Sequence, residues 1–219
     1  MAGTTTDVTV AIVHYDTPDL LLGCLRSLAD SIDSPGLQVI VVDNASRRFD
    51  PDACREVIPG LTVLRNADNV GVARAANQAL RMATGRYLLL LNPDAAVAPE
   101  TLRVMVDYMD GHPSVGCSTA RVALPDGRLD LACRRQFPTP ERAFYRLTYL
   151  SRLLPRNRRA GAYNLGWLDE SVETEIDAPC GAFMLVRRET ASEIGLLDER
   201  YFLYGEDLDW AFRMKAAGW

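Results

Sequence analysis

The sequence has few of the residues that build disulfide frameworks and zinc sites. Its 219 residues include five cysteines, an odd number without a CxxC pair. There are two histidines, His14 and His112, and neither has a partner at metal-binding spacing. This cysteine usage is typical of a reducing compartment, where thiols stay free. We therefore expect no structural metal of the zinc type and no disulfide scaffold.

Long hydrophobic runs and an excess of positive charge are also missing. No stretch reaches the roughly 18 apolar residues of a membrane-spanning helix, and the first residues lack the basic start and apolar core of a signal peptide. The net charge of −5 argues against a nucleic-acid partner held by bulk electrostatics. Hydrophobic residues make up 48%, as in ordinary globular proteins. The sequence therefore predicts a cytoplasmic globular protein.

The first half of the chain alternates strand-like and helix-like segments. Apolar, β-branched runs predict strands, and leucine or alanine residues at helical spacing predict helices. The strands are expected at 8–13, 37–42, 61–65, 87–91 and 115–122, and the helices at 18–28, 51–58, 70–84 and 99–109. This order predicts an α/β fold with a mostly parallel sheet covered by helices on both faces. Residues 133–175 show no clean alternation, whereas 178–186 resembles a strand and 206–217 a helix.

Polar residues stand where several of the expected strands end. Tyr15 follows the first strand, Asp43 the second, and Asn92 and Asp94 the fourth. Binding sites on parallel sheets lie beyond the carboxyl ends of strands. A carboxylate such as Asp43 can accept a hydrogen bond from a ring N–H, and Asp94 can hold a divalent ion together with waters and substrate phosphates. Ordinary turns also favour Asp and Asn, so each motif alone fits a structural role as well.

An acidic cluster near the end of the chain is the most informative feature. Glu206, Asp207 and Asp209 directly precede or open a segment with helical spacing that includes Trp210. Carboxylates at a helix start are favoured by the helix dipole. An ionised carboxylate at a fixed position can act as a general base. The alternative is a purely structural acidic first turn.

Residues 134–159 form a basic stretch with apolar residues between the charges. Eight arginines and one acidic residue, Glu141, are interleaved with aromatic residues and leucines. Such a pattern is typical of a segment that lies on an anionic membrane surface. The alternative is a solvated arm that folds over the core, with arginine stems covering apolar surface.

Taken in order, these motifs resemble the family 2 inverting glycosyltransferases with a GT-A fold, a Rossmann-like arrangement with a smaller acceptor-side region. Six segments carry the resemblance: 8–16, Asp43-Asn44-Ala45-Ser46, Asn69-Val70-Gly71 with Asn77, Leu91-Asn92-Pro93-Asp94, 179–188 and 205–210. Residues 197–210 look most like bacterial rhamnosyltransferases that build cell-envelope glycans on polyprenyl-diphosphate carriers. The resemblance covers nearly the whole chain.

The resemblance implies a role for each matching residue. Tyr15 and Asp43 would hold the nucleobase of a nucleoside diphosphate sugar, with Arg74 and Asn92 near the nucleotide. Asp94 would contact the ribose–diphosphate region and a Mg²⁺ or Mn²⁺ ion, and Asp207 would deprotonate the acceptor hydroxyl. The acceptor side would include three neighbours of Asp207: Glu206, Asp209 and Trp210. The acceptor would be a glycan or a lipid-linked saccharide, reached at the inner face of the cell membrane.

The resemblance also divides the chain and exposes two departures. Residues 1–125 would bind the nucleotide sugar, and residues 126–219 would form the acceptor side of the same domain, truncated at its C-terminus. The family's metal motif often carries two Asp residues, whereas this chain has Asn92 at the first position. Two alternatives stay open: a sugar nucleotidyltransferase, disfavoured because 14–18 contains no glycine, and an inactive nucleotide-sugar-binding fragment.

Overall fold

Six strands form one sheet in the computed structural model, which describes residues 6–31 and 36–219. The strands are β1 Val8–His14, β2 Leu37–Asp43, β3 Thr62–Arg65, β4 Tyr87–Leu91, β5 Cys117–Ser118 and β6 Phe183–Arg187. Their order across the sheet is β3-β2-β1-β4-β6-β5. The first four are parallel, whereas β6 is antiparallel to both of its neighbours. Residues 1–5, which lack a signal-like start, lie outside the described residues.

Eight α-helices of the described segments cover the sheet or extend from it. They are α1 Pro18–Ala29, α2 Pro51–Val57, α3 Val72–Arg81, α4 Thr101–Gly111, α5 Pro140–Leu147, α6 Leu150–Leu153, α7 Arg188–Ile194 and α8 Glu206–Ala216. Proline opens α1, α2 and α5, at a position where its missing N–H leaves no helical bond unmade. Asp50 caps α2 by accepting from the amides of Asp52 and Ala53. None of these helices has the length and apolar character needed to cross a bilayer.

The core has two layers because side chains alternate between the faces of each strand. Val8, Val10 and Ile12 of β1 pack on one face, together with α1 and α4. Ala11 points to the other face, where the small residues of α3 and the apolar side of α8 pack. The predicted fold, a mostly parallel sheet with helices on both faces, is therefore confirmed in its architecture.

The second half differs from the sequence prediction in detail. The strand expected at 115–122 is only Cys117–Ser118, because Thr119 bonds the Phe183 carbonyl through its hydroxyl rather than through the backbone ladder. The strand expected at 178–186 begins at Phe183; Ala178 instead makes an isolated bridge with Arg135. Helices α5, α6 and α7 were not predicted, since they are short and the first two bury no side chain fully.

The topology brings several chain segments to one edge of the sheet. β1 lies between β2 and β4, so the chain connections diverge at the carboxyl ends of β1 and β4, where open α/β sheets form a crevice. Because β6 is antiparallel to β4 and Phe183 pairs with Leu91, the residues just before β6 lie at this same edge. Residues 181–182 thus lie beside the segment that follows β4.

Candidate active site

Asp43 ends β2 at the crevice edge and is completely buried. Its Oδ1 accepts from the Ser46 amide at 3.1 Å. Its Oδ2 lies 3.2 Å from Arg65 Nε, but no hydrogen bond is formed, so this buried oxygen has no donor among the described residues. A carboxylate oxygen in this state can accept a hydrogen bond from a ligand N–H. Tyr15, about half exposed, follows β1 at the same edge.

His14, the last residue of β1, lies beside Asp43 in the sheet register. Burial lowers the pKa of its imidazole, although the carboxylates of Asp43 and Asp16 oppose that effect. The ring is therefore neutral at pH 7. Its Nδ1 is 3.2 Å from the Thr17 hydroxyl and the ring packs against Phe49. These contacts hold the ring in the packed corner beside Asp43.

Asn44 links the end of β2 to the loop that leads from β3 into α3. Its Oδ1 accepts from the Val70 amide and from Asn66 Nδ2, both at 3.1 Å. Its Nδ2 donates to Asn69 Oδ1 at 2.8 Å. The side chain is almost fully buried, so these bonds fix the loop that leads into α3. The quoted motifs Asp43-Asn44 and Asn69-Val70-Gly71 are thus parts of one hydrogen-bonded unit.

Asp94 lies in the loop after β4 with its side chain exposed. No hydrogen bond or ion pair engages its carboxylate within the described part of the chain. Its charge still reaches α1: the pKa of the Cys24 thiol is raised to about 12, mainly by burial and further by Asp94. Cys24 in turn contacts the Asn92 carbonyl at 3.6 Å. The loop therefore offers one free carboxylate at the crevice edge.

The crevice edge near Asp94 offers few protein ligands for a metal ion. Among residues 6–31 and 36–219, no three His, Cys, Asp or Glu side chains cluster as a metal site. Mg²⁺ and Mn²⁺ sites that act on phosphates commonly use one or two carboxylates, with waters and substrate oxygens completing the shell. The unpartnered carboxylate of Asp94 fits that kind of site, whereas a site made by protein ligands alone does not fit.

Asp207 is buried in the first turn of α8 and is held by three donors. Its Oδ2 accepts from Arg135 Nη2 at 2.6 Å and from the Gly181 amide at 3.2 Å. Its Oδ1 accepts from the Leu208 amide at 2.8 Å. The carboxylate is thus fixed in orientation by charge and by backbone donors.

One short segment joins the Asp94 loop to Asp207. The Asn92 amide donates to the Ala182 carbonyl at 3.2 Å, and the neighbouring Gly181 amide donates to Asp207. The carboxylate of α8 and the loop after β4 are therefore anchored on adjacent residues at the crevice edge. Asp43 and Tyr15 lie at this edge as well, through the parallel ends of β1 and β2.

Trp210 requires a correction. We expected it on the acceptor side, but its side chain is fully buried in the core and its indole N–H donates to the Gly195 carbonyl at 2.9 Å. Three residues after Asp207, Trp210 lies on the same buried face of α8, but its ring packs among the core side chains of the layer below the helix. It is a packing residue in this structure.

Arg74 contacts Glu199, whereas we expected it to lie near the nucleotide. Its Nε lies 3.2 Å from Glu199, which Arg81 and Asn77 also contact at 2.6 and 3.1 Å. This cluster fastens the loop before α8 to α3. The Arg74 side chain is about half exposed, and its charge is already compensated by Glu199.

The other two acidic residues of α8 have different surroundings. Asp209 pairs with Arg213 at 2.8 Å, one helical turn on. Glu206 keeps a buried Oε2 that has no partner in the described chain, and the pKa of this side chain is raised by burial and by the charge of Asp207. Of the three acids, Asp207 is therefore the one held by donors at the crevice edge.

Arg135 is a site residue that sequence reasoning missed. We grouped it with the basic stretch 134–159, whereas its guanidinium contacts Asp207 and the Pro179 carbonyl. No local pattern distinguishes it from its neighbours, because the partners are 44 and 72 residues away. The isolated bridge between Arg135 and Ala178 is what places it there.

Two surface cavities lie away from Asp94 and Asp207. One, of about 550 Å³, is lined by residues of the 123–134 hairpin region and by Leu168 and Glu170. The other, of about 760 Å³, lies at the opposite edge of the sheet, near the starts of β2 and β3. The first adjoins Arg134, the residue before Arg135.

Comparison with known proteins gives a consistent result. The family model described as "Glycosyl transferase family 2" matches residues 9–167. An N-acetylglucosaminyl-diphospho-decaprenol L-rhamnosyltransferase of Mycobacterium tuberculosis is 30% identical over 96% of this chain and 71% of its own length. Rhamnosyltransferase WbbL of Escherichia coli is 25% identical over 96% of this chain and 78% of its own.

Solved structures share the fold. A mannosyltransferase from Pyrobaculum calidifontis, in complex with GDP-Man and Mn²⁺, matches 97% of this chain with a TM-score of 0.66 and 24% identity. S. aureus TarS 1–349 in complex with UDP-GlcNAc matches 95% with a TM-score of 0.63 and 17% identity. The chain spans about half the length of these two structures, 52% and 53%. These matches confirm the predicted GT-A type of α/β fold.

Proposed function

Because this chain belongs to glycosyltransferase family 2, we propose that it moves a sugar from a nucleoside diphosphate donor to a hydroxyl acceptor with inversion at the anomeric carbon. The observation that supports this most is the common anchoring of Asn92 and Asp207 on residues 181–182. It brings a free carboxylate loop and a buried, oriented carboxylate to one crevice. Inversion requires the leaving group and the base on opposite sides of the sugar, and we assign the leaving group to the Asp94 loop and the base to α8.

We assign the donor to the ends of β1, β2 and β4. The Oδ2 of Asp43, which lies near Arg65 but has no hydrogen-bond donor among the described residues, would accept a ring N–H of the nucleobase, and Tyr15 at the end of β1 would lie against the base. The diphosphate then extends toward the loop of Asn92 and Asp94. A divalent cation bound by Asp94 and the diphosphate would stabilise the charge that develops on the leaving group.

Asp207 is the proposed general base. Its fixed orientation lets it accept the proton of the acceptor hydroxyl as the oxygen attacks the sugar. Glu206 and Asp209 flank it on the acceptor side.

The relatives suggest the sugar and the acceptor. Two of them are rhamnosyltransferases, and the mycobacterial one is named for an N-acetylglucosaminyl-diphospho-decaprenol substrate. We therefore propose a nucleoside diphosphate rhamnose as donor and a polyprenyl-diphosphate-linked saccharide as acceptor, in cell-envelope glycan synthesis. The enzyme would act in the cytoplasm, at the inner face of the membrane that holds the acceptor.

Substitution of the base tests the chemistry. We expect Asp207→Asn to lower turnover about 10²–10⁴-fold, the usual contribution of a positioned acid or base. Asp209→Asn, which removes a similar charge two residues away, is the matched control and should retain most activity. The measurement is rhamnose transfer to a short-chain polyprenyl-diphosphate N-acetylglucosamine. Retained turnover in Asp207→Asn, together with loss in Asp209→Asn, would show that the base is misassigned.

Metal dependence has its own test. A thermal-shift series with uridine, thymidine and guanosine diphosphates, each with and without Mn²⁺, measures stabilisation of the folded state by ligand. We expect one nucleotide to raise the melting temperature, and Mn²⁺ to increase the shift in the wild type but not in Asp94→Asn. An equal Mn²⁺ effect in both proteins would place the cation elsewhere.

The surface of α5 and α6 supports membrane contact. Leucine and aromatic side chains here are strongly exposed: Phe144, Leu147, Tyr149, Leu153 and Leu154 are between 52% and 79% accessible. Arg146 and Arg152 lie over the rings of Tyr163 and Tyr149 rather than in ion pairs. An apolar face bordered by arginines complements an anionic bilayer. We propose that this face rests on the membrane that carries the acceptor.

Vesicle binding tests that contact directly. We expect the protein to co-sediment with phosphatidylglycerol-containing vesicles and not with phosphatidylcholine alone. The double variant Leu147→Glu with Leu153→Glu should lose binding. The control, Leu20→Glu with Val104→Glu, adds the same charge at exposed apolar residues of α1 and α4 and should bind as the wild type does. Equal loss in both double variants would indicate a bulk charge effect and not this face.

A further inference from the structure

Arg135 and Asp207 form a nearly buried ion pair at the crevice edge. Their side chains are 13% and 12% exposed, and the Nη2–Oδ2 distance is 2.6 Å. Arg135 is itself fixed, since its amide bonds the Ala178 carbonyl at 3.1 Å and its Nη2 also contacts the Pro179 carbonyl. The guanidinium therefore has one position, and it determines where Asp207 Oδ2 lies.

The Arg135–Asp207 ion pair lacks the full set of hydrogen bonds expected of a pair that serves stability alone. Arg135 Nε is buried and has no partner within the described residues. Burying two charges is costly unless every donor and acceptor is satisfied, and a buried ion pair is weak evidence of net stabilisation. An arrangement that leaves Arg135 Nε unsatisfied while Nη2 bonds both the Asp207 carboxylate and the Pro179 carbonyl indicates a role in orientation.

Hydrogen-bond accounting distinguishes the two oxygens of Asp207. An ionised carboxylate has about four lone-pair positions, two on each oxygen. Oδ2 already accepts from Arg135 Nη2 and from the Gly181 amide, whereas Oδ1 accepts only from the Leu208 amide. One lone pair, on Oδ1, is left for a proton.

We infer that Arg135 is a positioning residue that occupies Oδ2 and so makes Oδ1 the atom that receives the acceptor's proton. This inference rests on the proposed function, in which Asp207 is the base. In the step, the O–H bond of the acceptor breaks, its electron pair forms the new bond to the anomeric carbon, and the proton goes to Oδ1. The nucleoside diphosphate leaves with the electron pair of the broken glycosidic bond.

The test compares Arg135→Met and Arg135→Lys with a control, using the rhamnose transfer assay. We expect Arg135→Met to lower kcat about 10²-fold, the effect of a small misplacement of a reacting group, with the KM for donor within about threefold. Arg135→Lys keeps the charge and should recover about tenfold. Arg187→Met, which removes an arginine bonded to main-chain carbonyls at the opposite edge, should lower stability but leave kcat unchanged.

A double variant distinguishes positioning from structural support. If Arg135 acts through Asp207, adding Arg135→Met to Asp207→Asn produces no further loss in kcat, because the group it positions is gone. Additive losses, a lysine variant no better than the methionine one, or a kcat within threefold of wild type in Arg135→Met would each overturn the inference. If Arg135→Met does not fold, Arg135→Lys in both backgrounds decides by the same criteria. Full activity of Asp207→Asn would instead refute the proposed base.

Discussion

The close contact between Gly71 and Phe202 allows a quantitative prediction. It concerns the stability lost when the start of α3 and the loop before α8 are forced apart. Gly71 precedes α3 with φ 84° and ψ 166°, a conformation that is essentially restricted to glycine. A Cβ added there would lie 2.6 Å from the Phe202 carbonyl oxygen, which also accepts from the Val72 amide at 2.8 Å. Phe202 lies in the loop that leads to Asp207. Gly71→Ala therefore forces this loop and the start of α3 apart.

Gly195 provides a matched control. It has nearly the same backbone conformation, φ 81° and ψ 175°, but a Cβ there would meet nothing within 4 Å. Both alanine variants should carry about 1–3 kcal/mol of backbone strain. Only Gly71→Ala adds the crowding term of an overfilled contact, about 1–3 kcal/mol more. The difference between the two variants isolates the contact with Phe202.

The assay is urea or thermal unfolding of both variants, followed by turnover. For a chain of this size, a difference of 1 kcal/mol corresponds to about 2–4 °C in Tm. We expect Gly71→Ala to melt roughly 2–12 °C below Gly195→Ala and to show the larger loss of kcat, since the loop before Asp207 is displaced. If Gly195→Ala is the less stable of the two, the contact does not contribute as described and the reasoning is refuted.

Three further outcomes are expected. Asn44→Ala should lower the free energy of unfolding by about 1–3 kcal/mol, since it leaves buried amides unsatisfied, and should weaken nucleoside diphosphate binding in a thermal-shift titration; unchanged binding would separate this loop from the donor site. Trp210→Phe, which loses the bond to Gly195, should lower stability in urea while the acceptor KM stays within about twofold; a large KM change would restore Trp210 to the acceptor side. The Arg86 guanidinium holds the pKa of Asp110 below its ordinary value of 3.8. The ionised carboxylate therefore stabilises the fold above pH 3.8, and this stabilisation is lost as the pH falls through the lowered pKa of the folded state. The stability advantage of wild type over Asp110→Asn in urea should therefore be largest at pH 6–7 and shrink as the pH falls below about 4; an advantage that grows on acidification would contradict this sign.

Much of the crevice was accessible from sequence because its signals are local. An apolar run that ends at Asp43, or at Asn92 and Asp94, identifies a buried strand and its polar end without knowledge of any partner. The helix-start position of Asp207 is local in the same way. The roles of these residues in catalysis and binding remain predictions.

Partners distant in sequence could not be predicted in this way. The side of α8 on which Trp210 lies depends on how that helix packs, and the compensation of Arg74 depends on Glu199, 125 residues away. The antiparallel direction of β6 could not be predicted either, because the apolar pattern of a strand is the same for both directions. Only the sheet register shows that its start, and not its end, meets the loop after β4.

By itself, the sequence determined the α/β architecture, the strand ends where polar groups emerge, and the family. Periodicity and composition are local properties, and burial of apolar faces leaves few arrangements for them. The tertiary structure decided that residues 181–182 hold both Asn92 and Asp207, and that one arginine out of eight in the basic stretch orients a carboxylate. Those pairings come from chain segments brought together by folding, and no local pattern encodes them.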